Sequence, residues 1–305
     1  MLRALLISAT LACSVAQDAS AQVKLERKYD EGRKSTVQTE QKIQQVLTLA
    51  GMEIQTEVDQ YFVLKSLVGK RRDDGKSPIE NKYDIIQSEL TLPNGASLQF
   101  DSGNPDKKAD DPNLEPVLQL FRAMAKTTWT AVLGKGNRVE SVEGMDDVAD
   151  SVGEGFKSLA SPEYTKRVAN QEFGRLPDKP VSKGDTWDRT EVLDFGQDQI
   201  MTFQMRYEYV GTVEKDGKTL DQIKGQVTGV TFGTDPSSSL PVRIVESKLK
   251  VTSFEGLTLF DRMKGMIVES NDKMRIQGDL KLDANGQEIA GTVDLSIATR
   301  STLQP

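Results

Sequence analysis

Few of the 305 residues combine the types and spacing that chemistry needs. Ser247-Lys248-Leu249-Lys250 fits the S-x-x-K pattern of serine acyl-enzymes, where Ser opens a helix and Lys lies one turn on. Here the segment alternates as a strand does, which puts Ser247 and Lys250 on opposite faces. Gly134-x-Gly136 and Gly153-x-Gly155 lack the third glycine and the leading strand of a dinucleotide loop and read as turns or helix ends. Asp101, Asp106, Asp110 and Asp111 crowd one polar loop that carries the oxygen ligands calcium favours. Their spacing matches no calcium loop, and a solvated linker explains them. Adjacent acids such as Asp73-Asp74 and Asp146-Asp147 would suit a hydrolase working through carboxylates alone, though such pairs usually mark solvated faces. Histidine is absent from the composition. That removes the commonest general base and the commonest transition-metal ligand. No catalytic residue, metal site or cofactor is predicted.

The most suggestive pattern is apolar. Across residues 200–210, Met201, Phe203, Met205, Tyr207 and Tyr209 alternate with Thr202, Gln204, Arg206 and Glu208, the mark of a strand with one greasy face. A second stripe lies in residues 112–126, where Leu114, Val117, Leu118, Phe121, Met124 and Ala125 fall on one helical face. Asp111 can cap that helix, and Pro112 fits its first turn. If the stripes face each other, they form ordinary core or line a cavity, and methionine adapts to irregular apolar ligands. Leu118, Phe121, Met124, Met201, Phe203, Met205 and Tyr207 are therefore the candidate ligand-lining residues.

Two β-rich flanks must position these stripes. In residues 37–64 the apolar phase switches from odd to even at Ala50-Gly51, as a hairpin turn there would produce. A strand near 82–92 follows, then the Pro93-Asn94-Gly95 turn and a return over 96–100. After the polar linker 102–111 comes a helical stretch, 112–174. A second helix is expected over Met145, Val148, Val152, Phe156 and Leu159, and a third from Ser161-Pro162 to Phe173-Gly174. Residues 175–305 return to strand, with a turn at Asp216-Gly217 and a Ser-rich loop at 235–241. Further strands are expected at 242–254, 265–270, 273–282 and 288–299. Gly51-x-Glu53-Ile54 with Val58-Asp59 matches Gly286-x-Glu288-Ile289 with Val293-Asp294, the trace of a duplicated hairpin or of generic hairpin sequence. The expected fold is mainly β (α+β): a large curved antiparallel sheet, or half-barrel, packed on a few central helices. It forms one domain over 22–305, with two lobes as the alternative.

The first residues give the destination. Arg3, an apolar run to Ala16 and Ala19-Ser20-Ala21 make a secretory signal, with cleavage expected between Ala21 and Gln22. The mature chain is then periplasmic or extracellular. No later run approaches the ~18 apolar residues of a membrane-spanning helix. Cys13, the only cysteine, lies inside the leader; a lipoprotein anchored there is a minor alternative. Without it the chain is held by burial alone, which its length permits. The net charge of −7 and the lack of a basic block argue against nucleic acid as a partner.

Several segments together resemble the exported bacterial DUF6263 family, known only as a domain of unknown function. They include Lys28-Tyr29-Asp30-Glu31-Gly32, Asp74-Gly75, Phe100-Asp101-Ser102 and Leu176-Pro177-Asp178-Lys179-Pro180-Val181. Gly184-Asp185-Thr186-Trp187, Phe260-Asp261 with Gly265 and Ser270, and Asn285-Gly286-Gln287-Glu288 complete the set. The resemblance implies no activity. By shape alone, a β shell over helices resembles the half-barrels of bacterial lipoprotein and lipid carriers, a fold-level analogy. The expected function is non-enzymatic binding of a lipid or other apolar ligand. The alternatives are an envelope structural or assembly protein acting through protein contacts, and a His-free carboxylate hydrolase.

Overall fold

The computed structural model of the chain describes residues 22–304, apart from 94, 153–155, 196–197 and 235–241. The expected leader through Ala21, Cys13, Asn94 of the hairpin signal, Gly153-x-Gly155 and the Ser-rich loop lie outside the described residues. The first arm holds β1 (Lys34–Leu49), β2 (Met52–Val68), β3 (Ser77–Thr91) and β4 (Ser97–Asp101). β1 turns into β2 at Ala50-Gly51, where φ is 50° and 81°, the left-handed pair of a tight hairpin. Asp216-Gly217 (51° and 70°) and Asn285-Gly286 (53° and 87°) repeat that turn, so the two copies of the short signature both mark a returning strand.

The middle of the chain carries α1 (Glu115–Lys126), β5 (Thr128–Leu133), β6 (Val139–Glu143), α2 (Asp146–Ser151) and α3 (Pro162–Gly174). The second arm holds β7 (Thr186–Asp194), β8 (Gln199–Lys215), β9 (Lys218–Thr234), β10 (Val242–Asp261), β11 (Met266–Ala284) and β12 (Gln287–Leu303). α3 begins as expected, with the Ser161 hydroxyl accepting from Tyr164 N. Elsewhere the boundaries move. Pro112–Leu114 is a separate 3₁₀ turn in which Leu114 N donates to the backbone oxygen of Asp111, so α1 starts later than its stripe. The helix expected through Leu159 stops at Ser151. The strands expected at 265–270 and 273–282 are one, β11: its polar middle is strand, with Asp272 facing inward, and is not a turn.

All twelve strands form one antiparallel sheet in the order β6-β5-β3-β2-β1-β12-β11-β10-β9-β8-β7, with β4 beside β3. The arms join along β1 and β12, from Val37 opposite Leu303 to Leu49 opposite Gly291. The sheet is therefore continuous, β6 and β7 are its ends, and backbone pairing does not close it. The expected fold class is the one observed.

The core has three parts. On the first arm, Leu114, Leu118 and Phe121 pack on Ile86, Leu98 and Phe100, with the Phe100 and Phe121 rings stacked at 5.4 Å. Beside it, Trp129, Leu133, Val139 and Val142 of β5 and β6 meet Val148 and Ala160, flanked by Ala169 and Phe173 of α3. On the second arm, the inner faces of β8 to β12 pack together with Leu25, Leu176 and Val181. Phe121 is 7 % exposed. Phe121→Ala should lower unfolding stability by about 3–5 kcal/mol in urea titration, as truncation of a packed aromatic does. A loss under ~1 kcal/mol would mean that α1 does not anchor this part of the core.

Candidate functional site

The alternation in β8 places Met201, Phe203, Met205 and Tyr207 in a row on the inner face, none more than 6 % exposed. Strand register supplies their neighbours. Met201 lies between Leu193 and Phe232, Phe203 between Glu191 and Val230, and Tyr207 between Trp187 and Gly225. Gly225 matters through what it lacks: a Cβ there would sit 3.3 Å from the Phe254 ring and 3.4 Å from Tyr207. Its absence lets Phe254 lie against the row. The α1 candidates are also together, but in a different place. Leu118 and Phe121 belong to the β3–β4 cluster, and Met124 packs on both it and the β5–β6 cluster. The structure thus gathers each stripe and keeps the two in separate clusters.

Sequence reasoning missed a polar belt across the same inner face. Register puts Tyr207, Gly225, Gly256, Asp272, Thr299, Gln41, Gln60 and Ser88 in one line across the strands. The next line carries Thr258, Ser270, Ser301 and Thr39. Thr258 and Ser270 are buried, and the Thr39 and Ser301 hydroxyls bond at 2.9 Å. Period-2 alternation could have revealed these positions, but Ser, Thr and Gln on a strand read equally well as solvent-facing.

Charged groups at the end of α3 pack on this belt. Arg175 Nη1 reaches Asp272 Oδ2 at 2.7 Å, and Arg27 donates to Glu172 Oε1 at 3.1 Å. The Tyr207 hydroxyl donates to Glu191. Burial alone would depress the Arg175 pKa; the carboxylates of Asp272 and Glu172 outweigh it, and the net shift is upward. Burial likewise opposes ionisation of Glu172, but Arg175 and Arg27 hold it below the ordinary value. Glu191 goes the other way. Its burial raises the carboxyl pKa despite the pull of Arg175 and of the Tyr207 hydroxyl.

α3 also spans the gap between the two ends of the sheet. Asn170 accepts from Val139 N and donates to Val139 O, both at 3.0 Å, on β6. Its neighbour Gln171 accepts from Val192 N at 2.5 Å and donates to Val192 O at 3.1 Å, on β7. Each amide takes the place of a missing strand. Asp178 adds a second tie, accepting from Arg138 beside β6 at 3.2 Å and from Arg189 of β7 at 2.8 Å. Arg167 pairs with Asp194 at 2.9 Å.

Chemically, the cluster around Arg175 neutralises its own charges. Among the described residues no group of acids is arranged to hold a metal ion. A groove of about 470 Å³ crosses β1 to β4, but charged and polar groups such as Glu40, Lys42, Asp59 and Gln87 line it. Among the described residues no helix is long and apolar enough to cross a membrane.

Two expectations follow. The folded-state pKa of Glu191 lies above its unfolded value of about 4.5. Its stabilising proton is fully held below that value and is lost as pH rises through the raised one. Glu191→Gln has no such loss, so its melting temperature relative to wild type should climb as pH increases through this window; a flat difference would overturn the reading. Asn170→Ala with Gln171→Ala should speed hydrogen exchange at the Val139 and Val192 amides and leave the Ile276 amide slow. Unchanged exchange at Val139 and Val192 would mean α3 does not tie the sheet ends.

The DUF6263 profile, a family of unknown function, matches residues 74–228, half of the chain. No curated protein matches. Among solved structures, lipovitellin aligns at TM-score 0.41 and 9 % identity over 91 % of this chain; the chain spans only 26 % of lipovitellin. A DUF1329 protein of Desulfovibrio piger aligns at TM-score 0.20 and 9 % identity, over 88 % of this chain and 86 % of its own. An outer membrane channel of Pseudomonas putida aligns at 0.22 and 7 %, over 90 % and 97 %. At such scores these likenesses carry no functional inference. The residues of the family resemblance do structural work. Asp185 accepts from Ser182 N, Asp261 from Lys264 N and Ser102 from Ile86 N, and Gly265 O accepts from Lys28 N.

Proposed function

The chain belongs to the DUF6263 family, whose function is unknown, so membership brings no activity with it, and we propose from the geometry that it is an exported, non-enzymatic binding protein for an apolar ligand. The observation that carries this is the β8 row. Met201, Phe203, Met205 and Tyr207 give the inner face two flexible thioethers and two flat rings, a lining that adapts to an irregular acyl chain. The binding face is assigned to these four residues. Leu118, Phe121 and Met124, in their own cluster, are assigned to bracing the first arm.

The ligand class can be narrowed. Trp187 Nε1 and Arg27 Nε are buried donors with no acceptor among the described protein atoms. Trp187 stacks on Tyr207 at 6.0 Å. The unpaired Trp187 donor beside the β8 row favours an amphiphile with an acceptor head, such as a fatty acid, over pure hydrocarbon. The hydrolase reading fits less well, because Glu172 and Asp272 are paired with arginines and Glu191 with Tyr207. The partner-protein reading rests on Met52, 67 % exposed at the β1–β2 turn. A specific, stoichiometric envelope partner lost on Met52→Ser would favour it.

The test is uptake. Purified protein titrated with anthroyloxy-stearate should enhance and saturate the probe's fluorescence, and Met205→Asp should weaken that binding while the fold is retained by circular dichroism. If the probe shows no saturable binding and organic extracts of the protein contain no lipid by mass spectrometry, the proposal fails.

A further inference from the structure

The sheet is also concave on its outer face, across the first arm. Gln41, Gln60 and Ser88 belong to the inward belt and Phe100 to the core, so their neighbours along each strand point outward. Register sorts those neighbours into two rows across β1 to β4. One row is Glu40, Tyr61, Gln87 and Asp101; the other is Lys42, Asp59, Glu89 and Gln99. The groove of about 470 Å³ runs between them, and the four inward residues, whose side chains point away, form its floor. Two residues along a strand set the rows about 7 Å apart, and four strands give a length of about 14 Å.

The polar loop that follows β4 closes one end. Lys107 Nζ donates to Gln99 Oε1 at 3.3 Å, and Gly103 N donates to Asp101 Oδ1 at 2.8 Å. Asn104 lines the same end. The linker between the first arm and α1 thus serves as an end wall, and the volume falls in the range of ~300–1,000 Å³ that small-ligand clefts occupy.

The lining decides the class of ligand. Four acids and two lysines leave a net charge of −2, which disfavours an anionic chain. The acids are largely engaged with neighbours. Asp59 pairs with Lys42 at 2.8 Å, Glu89 accepts from Gln99 Nε2 at 3.3 Å, and Asp101 accepts from Gln87 Nε2 at 3.3 Å. A polycation therefore meets little uncompensated charge. Each carboxamide–carboxylate pair still keeps a second N–H and further oxygen lone pairs, a donor beside acceptors. A sugar hydroxyl both donates and accepts, and so matches that array; an ammonium group only donates. Tyr61, half-buried in the first row, adds an aromatic surface for the C–H face of a pyranose ring and a hydroxyl at its rim.

We propose that this outer groove binds a short neutral oligosaccharide laid across β1 to β4, with Gln87 and Gln99 holding hydroxyls from the two rows and Tyr61 stacking on one ring. The site is separate from the apolar binding face, which lies on the other side of the sheet. Amide NMR of the purified protein tests it with three probes, cellotriose, maltotriose and N,N′,N″-triacetylchitotriose, each titrated to about 10 mM so that millimolar binding is seen. At least one should shift the backbone amides of Gln41, Gln60 and Ser88 saturably. Gln87→Ala with Gln99→Ala removes two exposed side chains and should weaken that binding about tenfold, and Tyr61→Leu should do the same. Both variants should bind anthroyloxy-stearate as the unaltered protein does. The assignment is overturned if no probe moves the floor amides, if the shifts fall elsewhere, or if the double amide variant binds the sugar as tightly as wild type. It is equally overturned if spermidine moves those amides and the sugars do not.

Discussion

An open sheet leaves, on each end strand, N–H and C=O groups with no ladder partner, and these invite pairing with other chains. Here both ends face one helix. Asn170 and Gln171 are adjacent in sequence, so on a helix their side chains diverge by about 100°. That divergence lets one turn of α3 reach β6 with one amide and β7 with the other. A primary amide carries a donor and an acceptor side by side, the same pair a neighbouring strand would present. Asp or Glu at either position would supply acceptors only and leave the Val139 or Val192 carbonyl unpaired. The position of α3 also fixes where its C-terminal end points, and so where Glu172 and Arg175 meet the inner face.

That meeting explains the polar belt. Arg175 is largely buried, and a buried guanidinium without partners would be strongly disfavoured. Asp272 lies where β11 crosses the line of Tyr207 and Gly225, so the sheet adds a counter-charge to the one that Glu172 supplies from the helix. Gly256, its register neighbour on β10, has no side chain to fill the space: a Cβ there would come within 3.0 Å of the Asp272 carboxylate and closer still to the Phe254 ring. One glycine thus leaves room for both a charged contact and an aromatic one. The belt crosses the inner face from β8 to β3, with Met201, Phe203 and Met205 of β8 on one side and the hydroxyl line of Thr258, Ser270, Ser301 and Thr39 on the other.

Much of this architecture was legible in the sequence, and the limits have physical causes. β8 alternates strictly because one face is core and the other solvent, and α1 shows its stripe because only one side is covered. The Ala50-Gly51 turn was legible from the phase switch alone. β11 was read as two strands because Asn271, Asp272 and Lys273 resemble a turn; Asp272 faces inward to serve an arginine from elsewhere in the chain. Asn170, Gln171 and Arg175 could not be singled out, since their partners are more than 15 residues away and nothing local distinguishes them from solvated helix surface. The separation of the α1 and β8 stripes was equally hidden, because periodicity says that a face is buried but not against what.

The same reasoning accounts for a family resemblance that carries a shape and no activity. Its acids and glycines lie at turns and crossings: Asp185 at the Ser182 turn, Asp261 at the β10–β11 turn, Gly286 at the last hairpin and Asp178 between the ends of the sheet. The three acids satisfy backbone or guanidinium groups, and Gly286 supplies the left-handed φ of its turn; those needs exist whatever the protein binds. The β8 row is different in kind. Other apolar residues of similar volume would fill the Met201, Phe203 and Met205 positions, so the choice of two methionines is not dictated by the fold. Residues required by topology therefore identify the scaffold, and the proposed binding face lies on the β8 row, where the topology asks only for apolar bulk.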